Sequence, residues 1–145
     1  MEKWIVYGSI YCLIIQAIAQ IIGKPEAKRW TLAFLLLLGA YLQIHFLFFS
    51  NYELLNYPRM FMSYVPALLF LGPLLRLYFN MLSKDETVFK IKNVMHVLLP
   101  IWGLYEYLRS INISGDDLIL HIEQLYQGVN LSEYYIYTIV CGASL

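Results

Sequence analysis

The sequence is poor in charge. Only 14% of its 145 residues are Asp, Glu, Lys or Arg, against roughly a quarter in an ordinary soluble domain. The ten basic and ten acidic side chains cancel, and no basic stripe runs along the chain, which excludes a free-standing nucleic-acid binder. The only two cysteines, Cys12 and Cys141, both sit in apolar runs, so neither a disulfide framework nor a zinc site is on offer. Also missing are a glycine-rich phosphate loop, a nucleophile elbow, a His-Glu-x-x-His pair and paired carboxylates. Without them the sequence gives no footing for catalysis or a resident cofactor. What fills the chain instead is apolar: 60% hydrophobic residues and a mean hydropathy of +0.59. Such a composition excludes a disordered tail and points to a membrane protein.

Four stretches come near the roughly 20 apolar residues that a bilayer core requires. They are Trp4–Gly23, Trp30–Ser50, Phe61–Leu82 and Asn93–Arg109. A fifth begins at Leu131 and is still apolar at Leu145. At 1.5 Å per residue it covers only about 22 Å, so it reads as a truncated span. Hydrocarbon supplies no partner for a peptide N–H, and no barrel-like alternation is visible, so the segments are expected to be helices. The sequence thus predicts an all-α polytopic transmembrane helix bundle, a single membrane domain over 1–145 with four full spans plus a truncated fifth. Ala17-Ile18-Ala19 resembles a signal-peptide cleavage site. The charged leader is only Met-Glu-Lys, however, and the apolar run continues to Gly23, so the first segment is read as a span.

Loop charge gives the orientation. Three basic residues lie between the first two segments and three more between Ser83 and Lys92; with Arg76 on the nearer side, seven of the ten fall together. The positive-inside rule then places those two loops in the cytoplasm and the N-terminus outside. An odd number of spans would deliver whatever follows to the cytoplasm. In the long fourth loop, Ser114-Gly-Asp-Asp117 has the spacing of a capping box with Asp in place of Glu. Behind it Leu118, Ile122 and Leu125 share one helical face, which predicts an amphipathic helix over about 115–127 on the outer membrane surface. Its acidic face, Asp116, Asp117 and Glu123, reads as solvated rather than as a metal site.

Polar groups inside spans are costly and are candidates for function. Arg76 lies about 22 Å along the third segment, within snorkelling reach of the cytoplasmic interface. His96 enters the fourth segment at a similar depth. His45 and Glu106 sit about 22 and 20 Å up the second and fourth segments, a near-equal depth that permits contact if those helices are neighbours. Glu106 also has Arg109 three residues on. Pro73, mid-span, cannot donate to the carbonyl of Leu69 and should kink the third helix. Gln16, Gln20 and Gln43, and the small residues Gly8, Cys12, Gly39 and Ala40, suit contacts between helices. The thirteen tyrosines, with Trp4 and Trp30, suit aromatic belts at the two interfaces.

The third segment contains Leu71-Gly-Pro-Leu-Leu-Arg-Leu-Tyr78, and the fourth opens with Lys92-Asn-Val-Met-His-Val-Leu-Leu-Pro100. In that order, over about Trp4 to Arg109, the chain resembles the N-terminal multi-helix membrane region of bacterial AraC-type transcriptional regulators. The resemblance implies membrane helices followed by a cytoplasmic pair of helix-turn-helix motifs. No such DNA-binding segment is present in these residues. The function expected is therefore a membrane-embedded sensory or anchoring module in the bacterial inner membrane, contacting DNA only through a region missing here. The expected partners are the lipid bilayer and other membrane helices or a second copy of the chain. The alternatives are a small transporter, or an accessory protein that binds another membrane protein.

Overall fold

A computed structural model describes residues 2–23, 25–83 and 94–128, the side chains of Glu2 and of 94–97 excepted. The fifth apolar segment at 131–145 with Cys141, the basic residues Lys24, Lys84, Lys90 and Lys92, and the His96 side chain lie outside the described residues. The described chain is all-α. Helix α1 is Glu2–Ile22, α2 is Ala27–Ser50, α3 is Tyr64–Leu82, α4 is Val94–Ile111 and α5 is Gly115–Tyr126. Two short 3-10 helices, Glu53–Leu55 and Pro58–Ser63, lead from α2 into α3. Three helical stretches, Lys3–Ile22, Ala27–Ser50 and Pro58–Leu82, are long and apolar enough to cross a membrane. Helix α4 is not among them, because Glu106 and Arg109 interrupt its apolar surface.

The long helices stand in a row: α1 packs on α2, α2 on α3, and α3 on α4. Small residues let them approach. Ala17, Ala33 and Ala40 are buried, Ala40 against Ile10 of α1, and a Cβ on Gly39 would lie 3.7 Å from Leu13. Gly103 brings α4 closer still to α3: a Cβ there would meet the Leu69 side chain at 2.6 Å and the Pro66 backbone at 3.2 Å. Many large side chains point the other way. Ile5, Ile22, Phe46, Ile101 and Tyr105 are all more than half exposed. A soluble monomer rarely shows apolar patches of that extent. In lipid, helices gain nothing by hiding leucine and instead associate through close backbone packing, which is this arrangement.

The two ends of the row differ. At one end, called here the capped end, α5 lies over the two 3-10 helices. Its Leu118 and Ile122 are buried against Leu54, with Phe48, Phe49, Leu55, Met60, Phe61 and Tyr126 around them. The amphipathic face foreseen for a lipid surface is used inside the protein. Ser114 caps α5: its Oγ accepts the Asp117 N–H at 3.3 Å and donates to Asp117 Oδ2 at 2.8 Å. Asp117 thus grips the capping hydroxyl rather than a backbone N–H, a shorter loop than the full capping box. At the other end, the open end, α1 ends at Ile22 and α2 begins at Ala27. On α3 the buried residues are Tyr64, Val65, Pro66, Ala67 and Leu69, all before Pro73. From Pro73 to Leu82 no residue is buried among the described ones.

Candidate functional site

Polar side chains converge where α2 meets the entry to α3. Tyr41 and His45 stand one turn apart on α2, a spacing that puts them on one face. His45, buried at 7% exposure, has Nε2 3.0 Å from the Met60 carbonyl and 3.2 Å from that of Phe61. Carbonyls only accept, so the proton sits on Nε2, which donates to both. The Ser63 hydroxyl donates to the same Met60 carbonyl at 2.6 Å, and the Tyr41 hydroxyl donates to Ser63 Oγ. The His45 ring also lies against Tyr64, with centroids 5.0 Å apart. The second 3-10 helix needs this help. Its turn geometry is poor at retaining its own hydrogen bonds, and buried carbonyls left alone are costly.

The His45 and Glu106 side chains do not meet. Neither an ion pair nor a hydrogen bond joins them: His45 is held by the Met60 and Phe61 carbonyls, while Glu106 pairs with Arg109 at 3.8 Å along α4. Pro73 lies inside α3, which continues through it to Leu82. Arg76 is exposed on α3, on the open-end side of Pro73. His96 falls in the first turn of α4. These five residues do not form one site. Gln43 binds Ser9 on α1 at 2.8 Å, and Gly8 and Cys12 face away from the neighbouring helices.

Sequence reasoning missed Tyr41 and Ser63. The signal was the pair Tyr41 and His45, two polar groups four apart in an apolar span, followed by a serine that opens the next one. A second feature, also unforeseen, is a cleft of about 390 Å³ toward the open end. It is lined by Ile21, Trp30, Thr31, Ala33, Phe34, Leu37 and Leu74. Its walls are nearly all carbon, because the Thr31 hydroxyl turns away to the Ala27 carbonyl and Met81 sulfur. Among the described residues no group of three or more His, Cys, Asp or Glu side chains converges.

No protein-family model, curated protein or solved structure matches the chain.

Proposed function

We propose that the chain is a membrane-embedded sensory or anchoring module of a transcriptional regulator, as its resemblance at Leu71–Tyr78 and Lys92–Pro100 implies. One observation supports this reading above the rest: α3 is buried only on the capped side of Pro73. A helix buried at one end and more loosely packed beyond a missing hydrogen bond, where Met81 accepts from Thr31 of α2, is a lever. On this proposal the membrane domain sits in the bacterial inner membrane with four full spans and part of a fifth, its N-terminus outside. Helix α4 serves as the fourth span, with Glu106 and Arg109 near the outer interface where a charged pair is cheapest. The capped end then faces outward, and the open end, where the basic residues gather, faces the cytoplasm. A change at the outer end would tilt the far half of α3, carrying Arg76, and bias a DNA-binding portion beyond these residues.

The test compares transcripts from cells carrying the wild-type gene with those from cells carrying Pro73→Ala. An alanine restores the lost hydrogen bond to Leu69 and stiffens the lever. Insertion, read by cysteine labelling from either side, is expected to stay unchanged while a defined set of transcripts shifts. Identical transcripts across growth conditions would remove the regulator reading. The accessory reading has its own support in α1, which among the described long helices packs chiefly on α2 and presents Trp4, Gly8 and Cys12 outward. Oxidative cross-linking through Cys12 to another membrane protein would favour it.

A further inference from the structure

We infer that the cleft at the open end binds one anionic phospholipid, with an acyl chain between α1, α2 and α3 and its phosphate on Arg29. The cleft runs along α2 from Trp30 to Leu37, about 10 Å at 1.5 Å per residue. Ile21 of α1 and Leu74 of α3 form its sides. Its size, about 390 Å³, falls in the range of small-molecule sites. Its wall of tryptophan, phenylalanine and aliphatic carbon suits a hydrocarbon chain and offers nothing to a polar solute.

The charge at its mouth selects the headgroup. Arg29 immediately precedes the lining residue Trp30. Its guanidinium lies over Gly23, two residues beyond the lining residue Ile21, so close that a Cβ on Gly23 would fall 1.7 Å from Nη1. Arg29 is half-buried, and among the described residues no carboxylate pairs with it. The nearby Glu26 is already taken by Lys28 at 3.0 Å. A planar guanidinium presents a fork of donors that fits a phosphate in two-toothed fashion. Trp30, half exposed at the rim, is a residue type that settles at headgroup level. An apolar slot of limited length, with a guanidinium at its mouth that no carboxylate among the described residues pairs with, is complementary to a lipid bearing a net negative charge. A zwitterionic lipid carries its own ammonium and gains less from Arg29.

The experiment is native mass spectrometry of the full chain released from detergent micelles containing equal amounts of phosphatidylglycerol and phosphatidylcholine. One retained phosphatidylglycerol per chain is expected, favoured at least tenfold over phosphatidylcholine. Arg29→Ala should abolish the preference. Lys28→Ala should leave it, because that lysine is spent on Glu26. Leu37→Trp, which fills the cleft from its exposed side without disturbing packed residues, should lower retention with Arg29 intact. Soluble glycerol phosphate should not displace the lipid. Equal retention of both lipids, equal losses in Arg29→Ala and Lys28→Ala, or unchanged retention in Leu37→Trp would each overturn the proposal. Displacement by glycerol phosphate alone would also overturn it, as would a dimer that forms at the cleft and excludes lipid.

Discussion

The capped and open ends of this molecule are built from the same kind of helix, yet they are held by different forces. At the capped end, short turns outside the regular helices create carbonyls that need donors and apolar faces that need cover. His45, Tyr41 and Ser63 supply the donors, and Leu54, Leu118 and Ile122 supply the cover. Toward the open end Ala17 and Ala33 are buried, and the Thr31 hydroxyl meets the Met81 sulfur of α3. If these helices lie in a bilayer as proposed, a gap such as the cleft beside Leu74 costs little, because a lipid chain can enter it. Irregular backbone therefore brings rigidity with it, while regular helix leaves room to move.

The comparison is broken most severely by emptying the capped end. Leu54 is fully buried at 0% exposure, and Leu54→Ala removes the side chain on which Leu118 and Ile122 rest. A loss of about 2–5 kcal/mol is expected, as for other large-to-small core changes. Leu74→Ala, on the cleft wall, should cost under about 1 kcal/mol, since its surroundings are only partly packed. Chemical unfolding in detergent, followed by circular dichroism, separates the two; equal losses would abolish the distinction between the ends. Next comes His45→Leu, which takes the donor from two carbonyls and should destabilise by about 1–3 kcal/mol. Hydrogen exchange should accelerate over Pro58–Tyr64 while α1 is unaffected. Tyr41→Phe should do less, because Ser63 still reaches the Met60 carbonyl.

Much of the capped end was beyond the reach of sequence, and the reason is chemical. A carbonyl belongs to every residue, so nothing in the chain marks those of Met60 and Phe61 as the partners of His45. Equal depth suggested Glu106, but α3 packs on both α2 and α4, and Arg109 sits nearer. The helices themselves were legible because hydrocarbon leaves the backbone no other way to satisfy its N–H groups. The run around α5 was legible for a different reason: a serine with an acid three residues on, then a single apolar stripe. What covers that stripe was not, since lipid and a buried leucine attract it alike. Gly39 and Gly8 show the same limit. Both are small residues in spans, yet one meets Leu13 and the other turns away from its neighbours.

Smaller effects sharpen the boundary of the capped end. Tyr126 closes the far end of α5, its hydroxyl donating to the Phe49 carbonyl at 2.6 Å. Its ring lies 4.4 Å from that of Tyr52, which holds a left-handed backbone at φ 60°. Partial burial, and then the nearby Tyr52, push the Tyr126 phenol above its ordinary range. The unfolded chain would lose that proton first, near pH 10. This contribution to stability is therefore complete below about pH 10 and declines as the pH rises beyond it. Tyr126→Phe should cost about 1 kcal/mol at neutral pH and flatten that alkaline decline. A decline that persists in the variant would assign it to another group.

Least of all should come Ser114→Ala, and its small size is what makes it informative. Serine at this position satisfies one N–H of the first turn of α5, a contact generally worth about 0.5–2 kcal/mol. Asp116 and Asp117 remain in that turn and continue to favour the helix dipole, so the lower part of that range applies. If α5 is held mainly by Leu118 and Ile122 on Leu54, exchange should quicken only over Asp116–Leu118, the amides nearest the cap. The rest of the helix should keep its protection. Loss of protection along the whole of α5 would mean instead that the cap, not the buried leucine, decides whether the helix docks. The capped end would then be as easily loosened as the open one.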